Sequence, residues 1–124
     1  MSIIGLWKVS EVNAFDKNFK QSWRTVEDIA ADPAVNPMQK AFSQAAYKFE
    51  EDGTLYSLMP KALVPAGEGE PYDDDYVIAK KTRWKEENGT FFAAAEDDGE
   101  LDWQKMSPTD NGFEIFGYQR IVKA

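Results

Sequence analysis

The sequence predicts a mainly β fold, an antiparallel up-and-down barrel of about seven or eight strands with one or two helices inserted after the first strand. Asp-Gly or Asn-Gly pairs, which tolerate the positive φ angles of tight hairpins, stand at 52–53, 88–89, 98–99 and 111–112. The runs between these pairs are rich in aromatic and β-branched residues, which favour strands. With 124 residues and no linker-like stretch, we expect 1–124 to form a single domain.

The first strand is predicted over residues 3–12, and a helix follows it. Apolar residues recur after the strand at helical spacing, at Phe15, Phe19, Trp23, Val26 and Ala30. Asp16 is the expected N-cap of this helix, and Asp32-Pro33 is the expected end. We therefore expect one amphipathic helix whose aromatic face packs against the barrel.

A second helix start follows at Asn36-Pro37, where a capping residue precedes a proline at the first helical position. This pattern predicts a short helix or a single turn over residues 38–42. The remaining strands are predicted over residues 45–51, 54–60, 74–87, 90–96, 100–106 and 113–122. Prolines, glycines and acidic residues between positions 60 and 75 predict a long loop.

The Asn88-Gly89 turn predicts a register, because a two-residue loop pairs Trp84 with Ala93. The predicted interior face then holds Tyr76, Ile78, Lys80, Thr82, Trp84, Phe91, Ala93 and Ala95. Two features of this face suggest a binding site. The two alanines leave room beside larger neighbours, and Lys80 points inward, where an unpaired ammonium is costly.

The hairpin at Asp98-Gly99 allows two registers. A three-residue loop brings Leu101 and Trp103 into the interior, whereas a two-residue loop brings in the polar residues 102 and 104. The first register keeps apolar side chains inside, so it is the one we expect.

The hairpin at Asp52-Gly53 is equally open to two interpretations. A two-residue loop places Tyr47, Phe49, Tyr56 and Leu58 on one face. A three-residue loop pairs Phe49 with Leu55 instead. We expect the two-residue loop.

Composition excludes several kinds of site. The chain has no cysteine and no histidine, which removes disulfides, thiolate metal sites and the commonest general base. Its net charge of −8 disfavours nucleic acid and anionic membranes as partners. No signal peptide or membrane span is recognisable, so we expect a cytoplasmic protein. The acidic run 73–75 lacks the spacing of an EF-hand, so we expect solvated charges there and neither a metal nor a cofactor.

Gly5-Leu6-Trp7, the meander of hairpins and Arg120 in the last strand together resemble the small bacterial lipocalin-like proteins of the calycin superfamily. In that group a G-x-W tryptophan lies at the closed end of the barrel beneath an arginine from near the chain end. The resemblance implies that Gly5, Trp7 and Arg120 close the barrel, and that an apolar pocket lies inside. A cation over an indole contributes roughly 0.5–2 kcal/mol.

The opening of the chain also resembles that of the intracellular fatty-acid-binding proteins, through the run 5–10 and the run 13–16. Those proteins have ten strands and a C-terminal Arg-x-Tyr that holds the fatty-acid carboxylate. Here Arg120-Ile121-Val122 lacks the tyrosine, so capture of a carboxylate by that route is not implied.

From the sequence we expect non-covalent binding of a small hydrophobic or amphipathic molecule inside the barrel. The candidate ligand-binding residues are Tyr47, Phe49, Tyr56, Tyr76, Ile78, Lys80, Trp84, Phe91 and Trp103. The same aromatic side chains can instead fill the barrel as core. Two alternatives stay open: an interaction module that uses the helical segment 15–42, and an enzyme that uses interior carboxylates.

Overall fold

The structure is a computed structural model that describes residues 3–15, 18, 20–64, 67 and 69–124. Its strands are β1 (Gly5–Phe15), β2 (Gln21–Thr25), β3 (Ala46–Phe49), β4 (Thr54–Pro60), β5 (Glu70–Pro71), β6 (Tyr76–Glu87), β7 (Thr90–Asp97), β8 (Glu100–Lys105), β9 (Ser107–Pro108), β10 (Gly112–Ile115) and β11 (Gln119–Lys123). Its helices are α1 (Val26–Ala31), α2 (Pro37–Ser43) and a 3-10 turn, Lys61–Leu63. The predicted class, a mainly β antiparallel barrel with two helices, is confirmed, although the described part of the chain forms more strands than expected.

The strands form one nearly closed antiparallel barrel in the order β8-β7-β6-β4-β3-β1-β11-β10-β9. The first and last strands of this order, β8 and β9, are consecutive in the chain and are separated only by Met106. β8 pairs with β7, whereas β9 pairs with β10. The chain changes partner at Met106, whose amide donates to the Phe91 carbonyl at 2.9 Å. The Met106 side chain is buried and packs in the hydrophobic core at this point.

The predicted first helix is wrong over residues 21–25, which form β2. The chain forms a hairpin there, in which β1 continues to Phe15 and β2 pairs back along it from Phe15–Gln21 to Glu11–Thr25. Trp23, one of the residues that suggested a helix, lies in β2 beneath the Arg120 guanidinium. Tertiary contacts therefore override the helical periodicity. Asp16 and Phe19 lie outside the described residues.

The helix that does form begins at Val26, with Thr25 as its N-cap: the threonine hydroxyl accepts from the Asp28 amide at 3.1 Å. It ends before Asp32, as predicted. The second helix start at Asn36-Pro37 is confirmed: the Asn36 side-chain oxygen accepts from the Gln39 backbone amide at 2.8 Å. Neither of these described helices has the length or the apolar content needed to cross a bilayer.

The Asn88-Gly89 hairpin has the predicted register, with Trp84 opposite Ala93. The Asp98-Gly99 hairpin does not: Asp98 (φ 50°) and Gly99 (φ 82°) form a two-residue turn, so Trp103 pairs with Ala94 on the outer face. Leu101 and Trp103 are exposed there. The preference for apolar residues inside was therefore a weaker determinant of register than the intrinsic fit of Asp-Gly to a tight turn.

The predicted register at Asp52-Gly53 is also wrong, since Phe49 pairs with Leu55. The extra loop residue turns Leu55 into the core and Tyr56 outward, where the Lys81 ammonium lies over its ring. Placing Leu55 inside and Tyr56 outside is favourable, because a buried tyrosine hydroxyl needs a hydrogen-bond partner whereas an exposed one is solvated.

The predicted last strand, 113–122, is two strands. β10 and β11 form a hairpin in which Ile115 pairs with Gln119. Phe116 (φ 57°) and Gly117 (φ 76°) both have positive φ at the turn. A left-handed phenylalanine is costly, so surrounding contacts must hold it in place. The Phe116 ring packs 6.2 Å from the Tyr47 ring, measured between centroids.

Five aromatic rings fill one end of the barrel interior and are called here the aromatic plug: Trp7, Phe49, Trp84, Phe91 and Phe113. Each ring contacts the next in a closed circuit, at centroid distances of 6.5, 5.9, 6.2, 5.5 and 5.5 Å. The two indole N–H groups donate to the Ile3 and Glu50 carbonyls, both at 2.8 Å. The plug is thus packed and its polar atoms are satisfied.

β10 and β11 approach each other closely at Gly112. A Cβ added at Gly112 would lie 1.8 Å from the Ile121 carbonyl oxygen. We expect Gly112→Ala to lower the free energy of unfolding by about 2–4 kcal/mol, because the β10–β11 pair must separate. Urea denaturation measures this. Gly117→Asn is the control, since nothing surrounds Gly117 and asparagine tolerates its φ; an equal loss in both variants would contradict the account.

Candidate functional site

The barrel interior is open at the end opposite the aromatic plug. A cavity of about 230 Å³, called here the mouth cavity, is lined by Tyr47, Ser57, Lys80, Thr82, Ala94, Ala95, Gln104, Phe116 and Tyr118. The lining combines two alanines, three aromatic rings and several hydrogen-bonding side chains. Small ligand sites have this composition, with a mostly apolar wall and a few convergent polar groups.

The mouth cavity exists because two strands stop pairing. The β6–β7 ladder begins at the Asn88-Gly89 turn and its last pair is Trp84 with Ala93. Beyond that pair, Thr82 of β6 and Ala95 of β7 face the same cavity. Alanine side chains are too small to fill the space between the separated strands, so the interior stays open there.

The position of Lys80 depends on an irregularity in the neighbouring ladder. In the β4–β6 pair the register shifts, so that Ser57 pairs with Lys80 while Leu58 pairs with Ile78. The extra residue, Ala79, turns Lys80 towards the mouth cavity on the same face as Ser57. The predicted interior face is therefore correct for Lys80, Thr82 and Trp84, but Ile78 does not belong to it.

Lys80 is the only charged side chain among the described residues that line the mouth cavity. Its ammonium donates to the Glu96 carbonyl oxygen at 3.4 Å, a long contact at the rim. Asp102 lies on the same face of β8 as Gln104, and its carboxylate accepts from the Gln104 amide at 3.3 Å. The lysine head group is exposed, so it is available to a ligand without the cost of burying a bare charge.

A buried hydrogen bond forms the inner wall of the mouth cavity. The Tyr47 hydroxyl donates to the side-chain oxygen of Gln119, and both residues are buried. Burial, with a smaller contribution from the neighbouring Tyr118, raises the pKa of Tyr47 well above its usual value. Burial also raises the pKa of Tyr118. Both phenols are therefore neutral donors at physiological pH.

The predicted pair of Trp7 with Arg120 does not form. The cation over the Trp7 ring is the ammonium of Lys123, 5.1 Å from the ring centroid, and this lysine also donates to the Ile4 carbonyl at 2.7 Å. Arg120 lies on the other face of β11, 4.0 Å from the Trp23 ring, and contacts Glu11 at 3.4 Å. The predicted placement of Arg120 over Trp7 is wrong because alternation directs residues 120 and 123 to opposite faces.

The structure separates the other residues predicted to bind ligand. Phe49, Trp84 and Phe91 belong to the aromatic plug. Trp103 lies outside the barrel beneath the Lys85 ammonium, at 4.5 Å, and Tyr56 lies outside as described above. Tyr76 lines a surface depression, and Ile78 lies beyond the irregularity at Ala79; neither lines the mouth cavity. Of the predicted set, Tyr47 and Lys80 come together at the mouth cavity.

Sequence reasoning missed four of the polar or aromatic residues that line this cavity. Gln104 and Ser57 follow from the hairpin registers that were considered and set aside. Phe116 and Tyr118 required recognition of the turn at Gly117, for which that glycine was the available signal.

The acidic loop after β5 makes local backbone contacts. The Asp73 carboxylate accepts from the Asp75 and Tyr76 amides, both at 2.8 Å. These bonds form a turn that starts β6. No group of three or more potential metal ligands occurs within the described residues.

Comparisons of this chain with protein-family models, with curated proteins and with solved structures find no match. The nearly closed antiparallel barrel is compatible with a calycin-like fold on its architecture alone.

The buried Tyr47–Gln119 bond makes a testable contribution to stability. We expect Tyr47→Phe to lower the free energy of unfolding by about 1–3 kcal/mol at pH 7, because Gln119 is left without its donor. Tyr56→Phe, which removes an outward-facing hydroxyl, is the control and should cost less than about 0.5 kcal/mol. Equal losses in the two variants would show that the buried bond contributes nothing.

The difference in stability between the parent protein and Tyr47→Phe should depend on pH. The raised pKa of Tyr47 favours the neutral phenol in the folded state, so its stabilising contribution is complete below the unfolded pKa near 10 and is lost at higher pH. The stability gap between the parent and Tyr47→Phe should therefore narrow by about 1 kcal/mol between pH 10 and 11. Urea denaturation at both pH values measures the gap; a constant gap would refute the pKa assignment.

Proposed function

We propose that this protein binds a small amphipathic molecule with an acidic group in the mouth cavity. The observation that carries the proposal is the position of Lys80, the one charged side chain in a described lining otherwise made of neutral polar, aromatic and small residues. A cation beside neutral donors favours an anionic head group, since a hydrogen bond to a charged group is about twice as strong as a neutral one.

The size of the cavity limits the ligand. A volume of about 230 Å³ suits a compact molecule such as a single-ring carboxylic acid, and is smaller than most sites for drug-sized ligands. The Tyr47, Phe116 and Tyr118 rings supply an apolar wall, and the small Ala95 leaves space against the opposite strand. The acidic group would lie at the rim beside Lys80, with its ring towards the interior.

Membership of the calycin superfamily is part of the same proposal. Support comes from the barrel and from the cation that the last strand places over Trp7, although the cation is Lys123 and not the expected arginine. The enzymatic alternative has less support, because no Asp or Glu is among the described side chains lining the mouth cavity. The alternative of an interaction module built on the segment 15–42 also has less support, because the described residues of that segment form β2 and two short helices.

The proposed role of Lys80 can be tested by NMR titration with benzoate and with benzamide, its neutral isostere. We expect benzoate to shift the backbone amides of Ser57, Thr82 and Ala95, and benzamide to bind about tenfold more weakly. Lys80→Met should reduce benzoate affinity by about the same factor, because the variant keeps the apolar stem and removes the charge.

Lys81→Met is the matched control, because Lys81 is the adjacent residue on the outer face, over Tyr56. It should leave benzoate binding unchanged. Equal binding of benzoate by the parent and Lys80→Met, or the absence of amide shifts at the mouth cavity at saturating benzoate, would contradict the proposal.

A further inference from the structure

A second cavity lies between the two helices, the β1–β2 hairpin and the start of β11. Its volume is about 390 Å³, which falls within the range of sites for small organic ligands, roughly 300–1,000 Å³. We call it the helix cavity. It is larger than the mouth cavity, and Tyr118 lines both. Neither the sequence patterns nor the proposed acid-binding role accounts for it.

The wall of the helix cavity is mainly apolar. Val12 contributes from β1, Ile29 from α1, Val35 from the connection between the helices, and Phe42 from α2. Ile29 is 3% exposed, whereas Phe42 is 53% exposed although it is one of the largest apolar side chains in the chain. A phenylalanine at the edge of a cavity offers apolar surface that the fold itself leaves unburied.

Three side-chain amides line this wall, and that of Gln119 is already bonded to Tyr47 and to the Phe42 carbonyl. The side chains of Asn13 and Gln39 line the cavity and make no hydrogen bond within the described part of the chain. Their backbone amides donate to the Tyr118 carbonyl and to the Asn36 side-chain oxygen, both at 2.8 Å. Each free side-chain amide offers two N–H donors and one carbonyl acceptor to a ligand.

The charged side chain in the wall of the helix cavity is already paired within the fold. Arg24 is the charged side chain among its described lining residues, and its guanidinium is paired with Asp28 at 2.7 Å and with Asp32 at 2.9 Å. Two carboxylates around one cation leave no attraction for an anion. A ligand acid would have to displace one of these carboxylates, whereas a neutral molecule displaces only water.

We propose that the helix cavity is a second binding site, specific for an uncharged small molecule with an apolar body and a hydrogen-bonding group. The apolar body contacts Val12, Val35 and Phe42, and the polar group contacts the Asn13 and Gln39 amides. The site is separate from the mouth cavity, so its ligand differs in charge from the acid that Lys80 favours.

The test uses two fluorescent probes that differ by one charged group. N-phenyl-1-naphthylamine is neutral, and 8-anilino-1-naphthalenesulfonate carries a sulfonate on the same skeleton. We expect the neutral probe to bind the parent protein with enhanced fluorescence and the sulfonate to bind at this site at least about tenfold more weakly. Fluorescence titration, confirmed by calorimetry, measures both affinities.

Blocking variants identify which cavity the probe occupies. Val35→Trp fills the helix cavity, and Ala95→Leu fills the mouth cavity, so only the first should weaken the neutral probe, by about tenfold or more. Phe42→Ala is a second variant for the helix cavity; because Phe42 is exposed, it should keep the fold while also weakening the probe. Lys80→Met should leave the probe unaffected, which separates this test from that of the acid site.

Three results would overturn the proposal. They are no binding of the neutral probe up to its solubility limit, equal affinity of the two probes in the helix cavity, and loss of binding in Ala95→Leu with full binding in folded Val35→Trp and Phe42→Ala. Thermal denaturation of each variant establishes that it is folded.

Discussion

The aromatic plug is the constraint on which the rest of the structure depends. Its five rings come from β1, β3, β6, β7 and β10, so the circuit of ring contacts ties together strands from both halves of the chain. Four of these contacts are edge-to-face and one is tilted, and such aromatic pairs each contribute about 0.5–1.5 kcal/mol beyond the burial of their area. Because the plug fills one end of the interior, any space for a ligand lies at the other end or outside the barrel.

The opposite end is built from smaller and more polar residues. There the β6–β7 ladder stops, the small Ala95 lines the cavity, and Tyr47 donates a hydrogen bond to Gln119. Gln119 also donates to the Phe42 carbonyl at 3.4 Å, which connects the barrel wall to the end of α2. Tyr118 therefore lines both the mouth cavity and the helix cavity, and Gln119 contacts Tyr47 on one side and the end of α2 on the other.

Local turn chemistry made the class of the fold and the Asn88-Gly89 register predictable, since both follow from two-residue signals. What failed had a tertiary cause. The spacing of Trp23 predicts a helix, but in the structure it lies in β2, where the Arg120 guanidinium packs over its ring. Phenylalanine is not a typical turn residue, and the turn conformation of Phe116 is accompanied by packing of its ring against Tyr47, which the local sequence does not reveal. Lys80 was found because an inward lysine is unusual, whereas Ser57 and Gln104 depended on loop lengths that the sequence leaves open.

The central claim is that the barrel is closed by aromatic packing at one end and binds an acid at the other. A crystal structure of the protein soaked in benzoate tests it most directly. The account predicts electron density for the carboxylate beside the Lys80 ammonium, with the ring towards Tyr47 and the five plug rings unmoved. Benzoate inserted between Trp7 and Phe91, with those rings displaced, would contradict it.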